Sequence, residues 1–103
     1  MVRPDKILDL MPRIRVCIEQ GTYFDTRHAA QRQRERKISR LDVLHVLKNG
    51  HHEKRKDKLD EHYSKWNYAI KGKDIDRREL RVIVSFDDNN MLIITAIERK
   101  KEG

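Results

Sequence analysis

Apolar residues at Ile7, Leu10, Met11, Ile14, Cys17 and Ile18 recur with the three- and four-residue spacing of one helical face. Pro12 fits such a helix only in its first turn, where amide N–H groups have no intrahelical partner. The spacing therefore predicts a helix over about 9–20 capped by Asp9, with 5–8 as an extension and Gly21 as a left-handed stop. Tyr23 and Phe24 form a short apolar hinge. Residues 26–37 then read as a second helix, capped by Thr26 or Asp25, whose only small apolar positions are Ala29 and Ala30. Leu41, Leu44 and Leu47, supported by Val43 and Val46, give a third helix its buried face. Ser39 and Asp42 have the spacing of a capping box at its start, and Asn49-Gly50 ends it.

Beyond residue 65 the period changes from helical to alternating. Trp66, Tyr68 and Ile70 alternate with Asn67, Ala69 and Lys71; Leu80, Val82, Val84 and Phe86 alternate with Arg81, Ile83 and Ser85. Residues 91–97 are a largely β-branched apolar run suited to a central strand. Asp87-Asp-Asn-Asn90 joins two such runs, which predicts an antiparallel hairpin of 79–86 with 91–98. Lys71-Gly-Lys-Asp74 is a second turn signal. Residues 51–65 carry only Leu59 and Tyr63 as apolar anchors and read as a short edge strand followed by a mobile loop; the residues after Glu98 read as a solvated tail. The expectation is a single α+β domain over 1–103, with three N-terminal helices packed on a three- to four-stranded antiparallel sheet.

Charge adds a partner class. The formal net charge of +7 and pI near 9.8 favour an anionic partner such as nucleic acid or an acidic protein. Between Arg27 and Arg40 stand six cations and the single anion Glu35, so most of the excess sits on the second helix. A membrane is disfavoured, since no apolar run approaches the roughly 20 residues of a spanning helix. One cysteine, Cys17, in an apolar helical pattern reads as a small buried hydrophobe and fits a reducing cytoplasm.

Five histidines raise the question of metal, but adjacent His51 and His52 cannot face one side of a strand, and no partner stands at zinc-site spacing. The chain also has no glycine-rich phosphate loop, nucleophile elbow or facing carboxylate pair. Neither metal nor cofactor is expected. What the residues do offer is His28, Arg32 and Arg36 at i, i+4 and i+8, one stripe of a helix. Metal-independent RNA cleavage needs an acid and a base around the 2′-OH and the leaving 5′-oxygen, plus cations around the phosphorane. His28, Arg32, Arg36 and a sheet-borne Arg81 suit those roles, because imidazole titrates near neutral pH and guanidinium forks onto phosphate. Tyr68, and Trp66 where it is not core, suit base stacking, and Lys71 and Lys73 suit backbone phosphate. The same stripe also fits a solvated basic face.

The run TRHAAQRQRERKIS, followed by LDVLHVLKNG and a hairpin ending LIITAIERK, resembles a bacterial family of small domains of unknown function, numbered four-two-five-eight. Its pattern has the form His-Ala, two residues, Arg, three residues, Arg, then Ile-Ser, and the match covers about 20–99. The whole chain also resembles the MqsR toxins of the RelE-like ribonuclease group, in its first helix ending at Gly21-Thr22, its Trp66-Asn67 strand and its terminal hairpin. That resemblance implies a RelE-like fold and cleavage of mRNA, often on the ribosome. It also implies neutralisation by a cognate antitoxin with zinc-binding and DNA-binding parts. It places Asn67 at a catalytic glutamine position, Glu79 near a catalytic tyrosine, and Lys54 or Arg55 and Arg99 at lysine positions. The sequence therefore leads to a type II toxin acting as a metal-independent endoribonuclease in the cytoplasm. A non-catalytic basic module binding RNA or protein is the alternative.

Overall fold

Aliphatic side chains at alternate positions of three long strands decide where the core lies. The computed structural model describes residues 3–88 and 90–99. In chain order it has α1 (Leu10–Gln20), β1 (Tyr23–Asp25), α2 (Arg27–Arg36), α3 (Arg40–Asn49), β2 (His51–His52), a single 3₁₀ turn (Lys54–Lys56), β3 (Lys58–Asp60), β4 (Lys65–Lys73), β5 (Glu79–Asp87) and β6 (Asn90–Glu98). One face of the sheet carries Tyr68 and Ile70 from β4, Leu80, Val82 and Val84 from β5, and Met91, Ile93 and Ala96 from β6. Leu10, Ile14 and Cys17 of α1, Ala29 of α2, and Val43, Val46 and Leu47 of α3 close over it. Among the described residues no helix packs on the other face of the sheet, and that asymmetry positions everything below.

The sheet departs from the expectation. It has six strands in the order β1-β6-β5-β4-β2, with β3 also pairing β4, and β1 runs parallel to β6. The three- to four-stranded antiparallel sheet is thus corrected to a six-stranded mixed one, and the RelE-like architecture goes with it. The three extra strands are only two or three residues long, too short to show a period of two. Each is fixed by tertiary bonds instead: β1 lies along β6 with Met91 N donating to Thr22 O at 3.0 Å and Thr26 N to Ile93 O at 3.1 Å. The hairpin of β5 and β6 forms as read, with one irregularity. Ile83 pairs with Thr95 while Val84 pairs with Ile93, so Ile94 is an extra residue that bulges β6.

Helix ends follow their capping chemistry in part. Gly21 adopts φ 72°, and Thr22 N donates to Cys17 O at 2.9 Å, a left-handed stop. Thr26 accepts from Ala29 N, and Ser39 and Asp42 make both bonds of a capping box. Asp9 makes no side-chain cap bond, and Leu41 is 68% exposed rather than buried. The buried positions of α3 are Asp42, Val43, Val46 and Leu47. Strand β4 runs through Gly72 to Lys73, so the turn read at 71–74 falls after Lys73. Of the short edge strand and mobile loop expected over 51–65, the strand is present as β2, and the segment after it forms a 3₁₀ turn and β3 in place of a mobile loop. The solvated tail lies mostly outside the described residues.

Gly50 and Gly72 let α3 sit directly on β4. A Cβ at Gly50 would stand 2.5 Å from Lys71 O and 2.6 Å from Val46 O, both main-chain atoms that cannot rotate away. Gly50→Ala is therefore expected to lose about 1–3 kcal/mol in urea denaturation. An unchanged midpoint would show that α3 is not seated this closely.

Candidate functional site

The uncovered face of the sheet carries an apolar floor with a charged rim. Ile83, Leu92, Ile94 and Ile97 are all partly exposed there. Two hollows divide this face: one of about 290 Å³ lined by Lys56, Lys58, Asn67, Arg81, Ile83 and Ile97, and one of about 330 Å³. The larger is lined by Tyr63, Asp60 and Lys65 on the β3–β4 side, by Thr26 on the α2 side, and by Leu92 and Ile94 below. Asn67 lines both, so the hollows form one trough with an amide at its middle.

The second helix flanks this trough along β6. Arg36, an exposed residue, donates from Nη1 to Ala96 O at 2.8 Å and Thr95 Oγ1 at 3.3 Å, beside the β6 bulge. Its partners among the described residues are neutral, and none is a carboxylate. Toward the start of the helix, Arg32 Nε donates to His28 Nε2 at 3.3 Å and Arg32 Nη1 to Glu35 at 3.2 Å. In that bond His28 Nε2 is the acceptor. The expected stripe of His28, Arg32 and Arg36 therefore exists. It meets the sheet residues at Thr95, whose partner Ile83 floors the hollow that Arg81 and Asn67 share.

Other sequence candidates have different surroundings. Tyr68 is 3% exposed, accepts from Ile7 N at 2.9 Å through its hydroxyl and packs edge-on to Phe86. It is a core residue and not a stacking platform, which corrects the expectation; strand alternation turns its side chain to the helix layer. Trp66 donates its indole N–H to Pro4 O at 2.8 Å, a structural bond. Lys71 and Arg99 both pair with Glu79, at 3.0 and 3.3 Å, so each offers a phosphate less charge than the sequence implies. Lys73 is exposed, and its carbonyl accepts from His45 Nδ1. Lys54 and Arg55 stand exposed on the 3₁₀ turn. Tyr63, Lys56, Lys58 and Asp60 line the trough and were not picked out for it, because a lone aromatic in a charged stretch carries no periodic signal.

Arg81 is held by Glu53, at 2.7 and 3.3 Å from Nε and Nη2. The hydrogen bond from Arg81 lowers the Glu53 pKa from its ordinary 4.5 against an opposing push from burial, with Arg81, Arg99 and Lys71 charges adding to the lowering. A carboxylate held below its unfolded value stabilises the fold above that value, and the contribution is lost as pH falls through the folded pKa. In acid denaturation followed by circular dichroism, Glu53→Gln should therefore flatten stability against pH below about 4.5. Parallel curves for the two proteins would contradict this.

Carboxylates of Asp42, Asp74 and Asp76 lie within 4.8 Å of one another on the helix side. Arg78 fills that cluster, donating to Asp74 at 2.7 Å and reaching Asp42 at 3.4 Å, and its own pKa is raised chiefly by the Asp74 bond. Two of the three carboxylates, Asp42 and Asp74, are thus engaged in ion pairs with Arg78. No described helix is long and apolar enough to cross a membrane.

The family model described as domain of unknown function DUF4258 matches residues 26–98. The chain belongs to this family. Its matched span opens at the cap of α2 and closes with the last residue of β6. The DUF4258 unit thus contains the stripe and both hollows, and leaves α1 and β1 outside. No curated protein and no solved structure matches the chain.

Proposed function

We propose that this DUF4258 domain binds single-stranded RNA across the open face of its sheet and cleaves it by attack of the substrate's own 2′-OH. His28 moves the proton, and Arg36 with Arg32 steadies the charge that builds on the phosphorane. The observation that supports this most is the fixed position of Arg36. Its guanidinium is anchored on β6 by neutral acceptors, on the same helix face as the His28–Arg32 pair and beside a trough lined by Lys56, Lys58 and Arg81. In the 2′-OH reaction the nucleophile belongs to the substrate, so no activated serine or cysteine is needed. As the toxin of a toxin–antitoxin pair acting on mRNA, the role that resemblance to MqsR toxins implies, such a domain would arrest growth on expression and be neutralised by a cognate antitoxin.

Incubation of purified protein with labelled single-stranded RNA in EDTA, alone and with ribosomes, tests the reading. Cleavage leaving 2′,3′-cyclic phosphate ends is expected; binding without cleavage in both settings would replace it with a second reading. That reading is a non-catalytic module binding RNA or protein, and the specific observation favouring it is that Arg81, the sheet-borne cation expected to act on the phosphorane, is already held by Glu53.

A further inference from the structure

The chain has six aromatic side chains: Tyr23, Phe24, Tyr63, Trp66, Tyr68 and Phe86. Four of them pack in or against the core. The two left in solvent, Phe24 at 55% and Tyr63 at 67% exposure, both stand at the larger hollow of the trough. Phe24 pairs in register with Leu92, a floor residue of that hollow, so the two side chains share the open face of the sheet. Tyr63 lines the hollow from the opposite side, in the turn between β3 and β4. It meets the His62 ring at 83° with centroids 4.6 Å apart, which leaves at least one face of the phenol ring open. With β6 and β5 between them, the strand of Phe24 lies three strand spacings, ~14 Å, from β4, a separation suited to two bases rather than one. The other exposed large hydrophobics, Leu8, Val16, Leu41 and Ile75, are aliphatic, and none lines either hollow. Charge also divides the trough. In the larger hollow Lys65 and Asp87 pair at 3.2 Å and Asp60 stands beside them, so it offers phosphate no net attraction. The smaller hollow is cationic, through Lys56, Lys58 and Arg81.

Resting on the RNA reading above, we propose that Phe24 and Tyr63 are base-stacking residues, each holding one base of a single strand laid across the sheet. Leu92 and Ile94 form the apolar floor between them, and the phosphates lie toward the cationic hollow and the α2 stripe. The base is the uncharged part of a nucleotide, so it suits a hollow without excess positive charge, while the phosphates go to the cations. Exposed rings on an open sheet face hold single-stranded RNA through the π-face that every base has. A ring plane meets no base edge, so the site is tolerant of base identity. An aliphatic side chain could cover the same floor but has no π-face to offer, and that difference separates stacking from plain apolar contact. The stacking role that the sequence suggested for Tyr68 and Trp66 thereby passes to the two rings the fold leaves open.

The test uses 2′-O-methyl heptamers, which bind but cannot be cut, with affinity read by fluorescence anisotropy at low salt. One is all uridine, one all adenosine, and the third is their abasic counterpart, the same sugar–phosphate chain with no bases. Phe24→Leu and Tyr63→Leu keep apolar bulk and remove the ring. Each is expected to weaken both intact heptamers roughly tenfold and to leave the abasic one within about twofold of wild type. Tyr63→Phe keeps the ring and should bind all three within about twofold of wild type. Equal losses on intact and abasic heptamers would overturn the stacking, since they would come from the fold or from charge. Full affinity in either leucine variant would overturn it too, leaving RNA binding in place and making the exposed rings a protein-facing patch. Absence of wild-type binding to any heptamer would overturn the RNA reading itself, and the stacking with it.

Discussion

Asp57→Ala should cost about 3–5 kcal/mol in urea denaturation. The Asp57 side chain is fully buried and its two oxygens meet three donors: Lys6 Nζ at 3.0 Å, His52 Nε2 at 2.7 Å and Ala69 N at 2.9 Å. The last of these is a sheet bond. Between β2, which pairs with 70–71, and β3, which pairs with 65–67, the edge of β4 loses its strand partner. Glu53 N donates to Ala69 O at 2.8 Å, and the Asp57 carboxylate then takes the Ala69 N–H that a strand carbonyl would otherwise accept. Alanine at 57 leaves a buried amide, a half-buried ammonium and an imidazole without their acceptor, and a group so stranded costs its full desolvation. Lys6→Ala removes only one partner, itself 36% exposed, and should cost under about 1 kcal/mol. Comparable losses in the two variants would mean that the carboxylate does not tie β2 and β3 to β4. Because Lys56 and Lys58 line the trough from this edge, Asp57→Ala should also weaken RNA binding.

That carboxylate also explains what the sequence could and could not convey. Long elements announce themselves: α1 and α3 by spacing and caps, β5 and β6 by alternation across a turn-forming tetrapeptide. The segment 51–65 looks like a charged loop because its order comes from one aspartate replacing a backbone acceptor, a contact with no sequence period. Likewise β1 was legible only as an apolar hinge, since three residues next to a distant parallel strand leave no local trace. For the site, helical geometry alone was enough to align His28, Arg32 and Arg36. Spacing could not reveal that Glu53 and Glu79 already hold Arg81, Lys71 and Arg99, because those pairs join strands far apart in sequence. Nor could it reveal that Tyr68 faces the helices while Asn67 next to it faces the trough, because β4 reads as alternating between faces without saying which face is covered. The family match, opening at Thr26, spans the second helix together with every strand of the sheet but β1.

His28→Ala should lower RNA cleavage by about 10²–10⁴-fold, the usual contribution of a positioned proton-transfer group, and Arg36→Ala by about 10²–10³-fold. Both side chains are exposed on α2, and neither belongs to the core. Stability should therefore change by less than about 1 kcal/mol, so lost activity would not reflect unfolding. Arg36→Lys keeps the charge but not the planar fork that grips Thr95 and Ala96; it should recover binding and only part of the rate. Arg34 supplies the control: it is exposed on the same helix but two residues out of phase with Arg36. Arg34→Ala removes equal charge from α2 and should reduce the slope of log affinity against log salt as Arg36→Ala does, while leaving the cleavage step within about twofold. Equal rate losses in Arg34→Ala and Arg36→Ala would reduce the stripe to general electrostatic attraction. Full cleavage by His28→Ala would move proton transfer off the helix, to the groups lining the trough.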